Sequence, residues 1–357
     1  PAPTRTHRHS ALKTHPPTKP DAHPLLGDTE IRPGERANVD LPVADLYTST
    51  SLSMPVKVIR GRLPGPVLFV SAAIHGDELN GVEIIRRLLK LKALRSIRGT
   101  LIAIPVVNVH GFLDQSRYLP DRRDLNRSFP GSAKGSIAAR LANLFLKEIV
   151  AKADAGVDLH TGAVHRSNLP QIRANLDDPG TLEIATAFGA PVVIDSNTRD
   201  GSLRACAAKR GMPILIYEAG EALRFDETGI KTGLRGVLNV MRNMKMLPAA
   251  RGKSRVSPVV ARSTRWIRAG ASGIVSGKVK LGSTVSKGEM MAMISDPLGN
   301  EEYRVIAPSD GIVIGRTNLP LAHEGDALFN LGTFRNMPKA SNAVESLASA
   351  DTTSKVS

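Results

Sequence analysis

Cysteine is almost missing from this chain. Its 357 residues contain only Cys206, so no internal disulfide can form, and the cytoplasm is the expected compartment. Aromatic residues are also scarce, at 4%, with one tryptophan and four tyrosines. That argues against the basic-plus-aromatic surfaces that grip single-stranded nucleic acid. No apolar run approaches the roughly 20 residues of a membrane span. The opening stretch PAPTRTHRHSALKTHPP has no apolar core of the secretory type. A polybasic block is lacking too, although the net charge is +15. A positive charge spread along the chain fits no nucleic-acid or membrane partner, but it steers small anions.

What is present is ordinary for a globular protein: 41% hydrophobic and 23% charged residues, in a length that suits one large domain and one small one. Residues 1–40 read as a polar N-terminal arm, largely disordered, leading into a first strand or two. Its histidines (His7, His9, His15 and His23) belong to a solvated tail more readily than to a metal site. From 41 to 250, short apolar runs alternate with amphipathic stretches. GPVLFVSAAI, TLIAIPVVNV, GVDLH, PQIRANL, PVVID and PILIYEAG read as strands, and NGVEIIRRLLKLKAL and SIAARLANLFLKEIVAKA as helices. This alternation predicts an α/β fold with a mostly parallel mixed sheet covered by helices on both faces. Residues 251–335 are rich in Gly and Val and carry a weak repeat. Gly273, Gly277 and Gly288 recur as Gly311, Gly315 and Gly325, which predicts a small all-β sandwich or barrel. Residues 336–357, rich in Ser, Ala and Thr, read as a disordered tail.

Three apolar strands run directly into polar residues: the first into His75-Gly76-Asp77-Glu78, the second into His160-Thr161-Gly162, the third into Glu218-Ala219-Gly220. Ligands of open α/β sheets gather beyond the carboxyl ends of strands. His75 and Glu78 form an H-x-x-E pair, and His160 supplies a distant third ligand. Two histidines and one carboxylate leave a fourth position open for water, the pattern of a catalytic zinc. Such an ion lowers the pKa of its water to about 7. Glu218 is the candidate to take the water's proton and return it to a leaving nitrogen. A further loop, NVHGFLDQSRYLPDRRDLNRSFPG, offers Arg117, Asn126 and Arg127 to a substrate carboxylate. The competing reading pairs these arginines with Asp121 or Asp124.

HGDE, SRY…DLNRSFPG, DLHTG and YEAG, in this order, resemble the succinylglutamate desuccinylase/aspartoacylase family of zinc carboxypeptidase-like enzymes. The resemblance covers about residues 55 to 334, and the four motifs together are highly specific. It implies one zinc ion per subunit on His75, Glu78 and His160, with Glu218 as general acid/base. It implies that Arg117 polarises the scissile carbonyl, and that Asn126 and Arg127 grip the substrate's carboxylate. It also implies a C-terminal β-domain that narrows access to the site. The segment between Arg117 and Asn126 is longer than in aspartoacylase, which reshapes the pocket. Arg173 is a candidate acyl-side contact, and His165 either lines the pocket or sits on a solvated loop. The function expected is cleavage of the amide bond of a small, carboxylate-bearing N-acyl amino acid, in a chain that can form a homo-oligomer.

Other readings are a zinc carboxypeptidase acting on short peptides, and a relative that binds metal or ligand without catalysis. The Gly-rich repeat also resembles biotinyl and lipoyl domains, but its connecting segment SDPLGNEEYR has no lysine to modify. Cys206 reads as a small packed residue in a helix, and Trp266 as a structural anchor at the domain junction.

Overall fold

The computed structural model describes residues 25–250 and 258–353. The histidines of the arm, at 7, 9, 15 and 23, lie outside the described residues. Short strands begin at Leu25, and a long hairpin, Arg36–Asp45 with Ser51–Arg60, follows them. Ordered structure thus starts well inside the segment expected to be an arm. Among the described residues, no helix is long and apolar enough to cross a membrane.

The architecture is mixed α/β around a 12-stranded sheet. At its centre, strands Arg98–Ile104, Leu63–Ala72, Ala155–Gly162 and Ile214–Glu221 run parallel. Both faces of this centre are buried. Along Leu63–Ala72, Leu68, Val70 and Ala72 enter one apolar cluster with Ile84, Ile184 and Val237, contributed by three helices. The alternate residue Phe69 enters a second cluster with Leu141, Phe145 and Leu203 from two others. Side chains of a strand alternate between faces, so the unbroken apolar run GPVLFVSAAI is what a strand covered on both sides requires.

The sheet as a whole is not mostly parallel. Five of its pairings are parallel and seven antiparallel. Helical crossovers reveal only the parallel centre. The N-terminal hairpin and most of the pairings made by the strands after Val259 are antiparallel, several of them between distant segments, and no helical crossover marks them in the sequence.

The strands after Val259 divide between two sheets. Gly273–Ser276, Met290–Ser295, Glu302–Ile306 and Leu321–Ala322 form a four-stranded sheet. Val259–Arg268, Gly311–Thr317 and Ala327–Phe334 instead extend the large sheet. Strand Val259–Arg268 pairs in parallel with Val192–Asp195, and Gly311–Thr317 pairs with Arg166–Ala174. These pairings close a five-stranded ring shared by both halves of the chain. Its apolar residues include Leu169, Ile194, Ile312 and Ile314. The tail expected to be disordered contains a helix, Met337–Thr353, whose Ala340 and Val344 are buried in that same cluster.

Candidate active site

The sheet centre brings the three polar strand ends together. His75 lies three residues past strand Leu63–Ala72. His160 and Glu218 are direct partners in the parallel register of Ala155–Gly162 and Ile214–Glu221. Two glycines make the turns possible. Gly76 passes so close to the backbone of Gly111 that a Cβ would lie 1.9 Å from its carbonyl carbon. Gly220 adopts φ +72°, which a residue with a Cβ rarely takes, and a Cβ there would come within 2.7 Å of Asn80 Nδ2. Asn80, the first residue of helix Asn80–Leu89, clasps that turn: its Nδ2 donates to the Ala219 carbonyl at 3.0 Å and its Oδ1 accepts from Asp226 N at 3.0 Å.

His75, Glu78 and His160 are buried, and each offers a ligand atom within 4.8 Å of the others. Both imidazoles aim Nδ1 at the same carboxylate. His75 Nδ1 lies 2.8 Å from Glu78 Oε1, and His160 Nδ1 2.8 Å from Glu78 Oε2. The opposite ring nitrogens are backed by carboxylates: His75 Nε2 by Asp124 at 3.1 Å, and His160 Nε2 by Asp158 at 2.8 Å. Asp158 is held in turn by the Ser71 hydroxyl at 2.7 Å. A carboxylate behind each imidazole fixes its tautomer and raises its basicity, the usual outer support of a metal-binding histidine. The donor set therefore fits one divalent cation.

Charge is tightly coupled here. Burial alone would lower the pKa of His75, but the carboxylates of Glu78 and Asp124 outweigh it and raise the value. His160 is raised well above its usual range, because Asp158 and Glu78 overcome its burial. Burial pushes Glu78 upward, and the two imidazoles reverse that and hold it below the usual carboxylate range. This cluster of opposite charges is poised to exchange protons for a cation.

A cavity of about 410 Å³ opens on the triad, and Glu218, Arg117, Asn126, Arg127 and Arg173 all line it. Glu218 Oε2 accepts from Asn168 Nδ2 at 2.7 Å, and its Oε1 lies 3.2 Å from Arg173 Nε. Arg173 is therefore engaged with Glu218 in this structure. Arg117 donates to Asp124 Oδ2 at 2.9 Å and to Glu78 Oε1 at 3.4 Å, so the ion pair weighed as an alternative for Arg117 is present. Asn126 Oδ1 accepts from Leu203 N at 3.0 Å. Arg127 stays exposed, donating to the Asn126 carbonyl at 2.6 Å. His165 sits on an exposed turn, 3.9 Å from Glu221.

Several residues of the site were not singled out from the sequence. Asp158 stands two residues before His160, and the strand period of two puts both on one face, so D-x-H at a strand end was a usable signal. Arg204, buried on helix Leu203–Lys209, lines the cavity and donates to two neutral oxygens, Ser196 Oγ at 2.9 Å and the Asn197 carbonyl at 2.7 Å. Burial, reinforced by Arg173, lowers its pKa to about 10. Trp266 lines the cavity as well, rather than serving only as an anchor at the junction. Cys206 packs at the edge of the second apolar cluster, and burial raises its thiol pKa.

Two histidines and a carboxylate gathered at strand ends beside a second, separately held carboxylate form an arrangement suited to metal-assisted hydrolysis. Comparison with known proteins agrees. The family model for the succinylglutamate desuccinylase/aspartoacylase catalytic domain matches residues 64–244, and the chain belongs to that family. N-alpha-acetyl-L-2,4-diaminobutyric acid deacetylase of Halomonas elongata is 25% identical over 293 residues, covering 78% of this chain and 85% of that protein. Among solved structures, a succinylglutamate desuccinylase/aspartoacylase from Rhodobacter sphaeroides superposes with a TM-score of 0.75 at 26% identity, covering 84% of this chain and 96% of the other. The product-bound ectoine utilization protein EutE (DoeB) from Ruegeria pomeroyi shares the fold, with a TM-score of 0.78 at 23% identity over 88% of this chain and all of that one.

Proposed function

We propose that this protein is a zinc-dependent deacylase that hydrolyses the amide bond of a small, carboxylate-bearing N-acyl amino acid. The observation that carries this reading is the convergence of His75, Glu78 and His160 within 4.8 Å, in the same cavity as Glu218. Zinc held by His75 Nδ1, Glu78 and His160 Nδ1 would supply a Lewis acid and a water of lowered pKa. Glu218, kept in place by Asn168 and Arg173, is the carboxylate that would accept a proton from the attacking water and return it to the leaving nitrogen. Arg117 turns its guanidinium toward the scissile carbonyl and stabilises the charge that develops on oxygen. Asn126 and Arg127 hold the substrate carboxylate, and Arg173 reaches the acyl side. The Halomonas relative's name records an amide-cleaving deacetylase, which supports the reaction type.

We assign the chemistry to a domain of residues 41–250 and the narrowing of the entrance to one of 251–335. Thr264 and Trp266 line the cavity from the second of these. A cavity of about 410 Å³ has room for a substrate of amino-acid size. The test is a hydrolysis screen of N-acetyl and N-succinyl amino acids against short peptides, using metal-assayed protein before and after chelation. Cleavage of acyl amino acids that disappears on chelation and returns with zinc is expected. Zinc-loaded protein that cleaves none of them, or chelated protein that keeps full activity, would overturn the assignment.

A further inference from the structure

Inside a strand a glycine loses packing, and it persists where something needs the missing side chain. Gly315 is such a residue: it lies in strand Gly311–Thr317, is buried, and has no positive φ for a larger residue to resist. The pairing with Ala327–Phe334 shifts register between Val313 and Gly315, but without a positive φ that irregularity does not call for glycine. Space is what excludes a side chain. A Cβ on Gly315 would lie 2.8 Å from Asn168 Oδ1, with Asn330 Cβ at 3.3 Å and the Ser167 carbonyl oxygen at 3.6 Å the next nearest. Gly277, its counterpart in the sequence repeat, is the opposite case: φ is +61° and nothing lies within 4 Å of a Cβ. Only the second glycine of the pair bears on the site.

Asn168 stands between two glycines. In the strand ladders it faces Gly220 on one side and Gly315 on the other, so no side chain packs against it from the directly opposite positions. Its amide is committed instead to Glu218, with Nδ2 donating to Oε2 at 2.7 Å. A carboxylate only accepts, so the amide nitrogen must face Glu218 and the oxygen must face elsewhere. That oxygen lies where a Cβ of residue 315 would press on it. Turning the amide relieves such a clash most cheaply, because an Asn χ2 torsion is softer than two paired strands, and turning it breaks the bond to Glu218. Gln171 Nε2 stands 3.5 Å from the same Glu218 oxygen, too far to take over the grip.

We infer that Gly315 is a positioning residue for the reaction: its bare backbone sets which way the Asn168 amide faces, and through that amide where the Glu218 carboxylate sits in the cavity. This rests on the deacylase reading and adds to it a residue outside the cavity wall. Gly315 does not line the cavity, whereas Asn168 and Glu218 both do, so its effect passes through Asn168. A general base must stay within hydrogen-bond reach of the proton it takes, and a misplacement of about 1 Å can cost about 100-fold in rate.

The test is a double-mutant cycle on the zinc-loaded full chain: Gly315→Ala, Asn168→Ala and the two together. Each is followed by kinetics on the N-acetyl amino acid that the parent cleaves fastest, by thermal unfolding, and by a crystal structure of Gly315→Ala. Each single variant is expected to lower kcat about 10- to 100-fold, the value of a hydrogen bond to a charged group. KM stays within about threefold of the parent, the mark of a group that acts in the transition state rather than in binding, and zinc content by elemental analysis is unchanged. In the double variant the second substitution adds less than about threefold, because without the Asn168 oxygen a Cβ at 315 meets nothing closer than 3.3 Å. For the same reason Gly315→Ala lowers the melting temperature less in the Asn168→Ala background than in the parent. Losses that multiply in the double variant, as from a strand merely weakened by alanine, overturn the inference. So does a parental kcat in either single variant, or a Gly315→Ala structure in which Asn168 Nδ2 still lies 2.7 Å from Glu218 Oε2. Should Gly315→Ala fail to fold, the double variant is expected to fold, and its failure overturns the inference as well. A parent that cleaves no N-acyl amino acid would sink the deacylase reading; the crystal structure and the melting temperatures, which need no turnover, would still decide whether Gly315 sets the Glu218 contact.

Discussion

Replacing Asp158 by Asn removes one charge from behind His160 and little else. Asp158 is 1% exposed and makes two contacts, accepting from Ser71 Oγ at 2.7 Å and meeting His160 Nε2 at 2.8 Å. The Asn amide can turn its oxygen to the imidazole N–H and its NH2 to the Ser71 hydroxyl, which accepts as readily as it donates. No buried donor or acceptor is stranded, so the variant isolates the charge. Loss of a carboxylate behind a metal-binding histidine costs about 10- to 100-fold in metal affinity, or about 1.4 to 2.7 kcal/mol. Competition for zinc against a chromophoric chelator measures this, with a thermal melt to confirm that the fold persists. Asp158→Ala is the contrasting variant. It strands both His160 Nε2 and Ser71 Oγ and adds a folding cost of about 1–3 kcal/mol for each. Zinc affinity within twofold of the parent in a folded Asp158→Asn protein would refute the reasoning, because His160 would then not hold the ion through the ring that Asp158 supports.

Glu218→Gln keeps the size of the side chain beside Asn168 and Arg173 and is expected to retain zinc by elemental analysis while turnover falls about 10²- to 10⁴-fold. Arg127→Ala should raise KM for carboxylate substrates about tenfold or more and leave neutral amides nearly unaffected; equal effects on both would remove Arg127 from the substrate grip. The pKa directions set the sign of the pH dependence. Without metal, the raised pKa values of His75 and His160 add stability that is complete below the unfolded value of about 6.5 and is lost as pH rises through the folded values. Metal needs the neutral rings, so the gain in melting temperature on adding zinc should grow as pH rises from the unfolded value of about 6.5 through the raised folded values, and zinc binding should release protons in a titration run in two buffers of different ionisation enthalpy.

The convergence of His75, His160 and Glu218 on one cavity was legible because polar residues directly after apolar strands have few other reasons to stand there. His75, His160 and Glu218 each follow such a run, and the parallel register aligns the last two. Asp124 and Asp158 were harder to read, since nothing local marks a carboxylate that serves a ring from another segment or from two residues away. The position of Trp266 on the cavity wall was hidden for a related reason. It stands at the chain's passage into the C-terminal strands, and only the antiparallel pairings bring its ring to the cavity and under Arg166. Those pairings also account for the overestimate of parallel strands. Helix Met337–Thr353 escaped notice because its Ser- and Ala-rich composition has little intrinsic apolar character. Its order comes from burying Ala340 and Val344 against strands about 30 to 170 residues earlier.

The most direct test of the account is to locate the metal. Crystals of the zinc-loaded protein, measured on both sides of the zinc absorption edge, should show a single anomalous peak per chain. It should lie about 2.0–2.2 Å from His75 Nδ1, His160 Nδ1 and a Glu78 oxygen, and it should be absent from His160→Ala crystals grown with the same zinc. An anomalous peak elsewhere, or none at these three side chains in a protein that still hydrolyses N-acyl amino acids, would contradict the account.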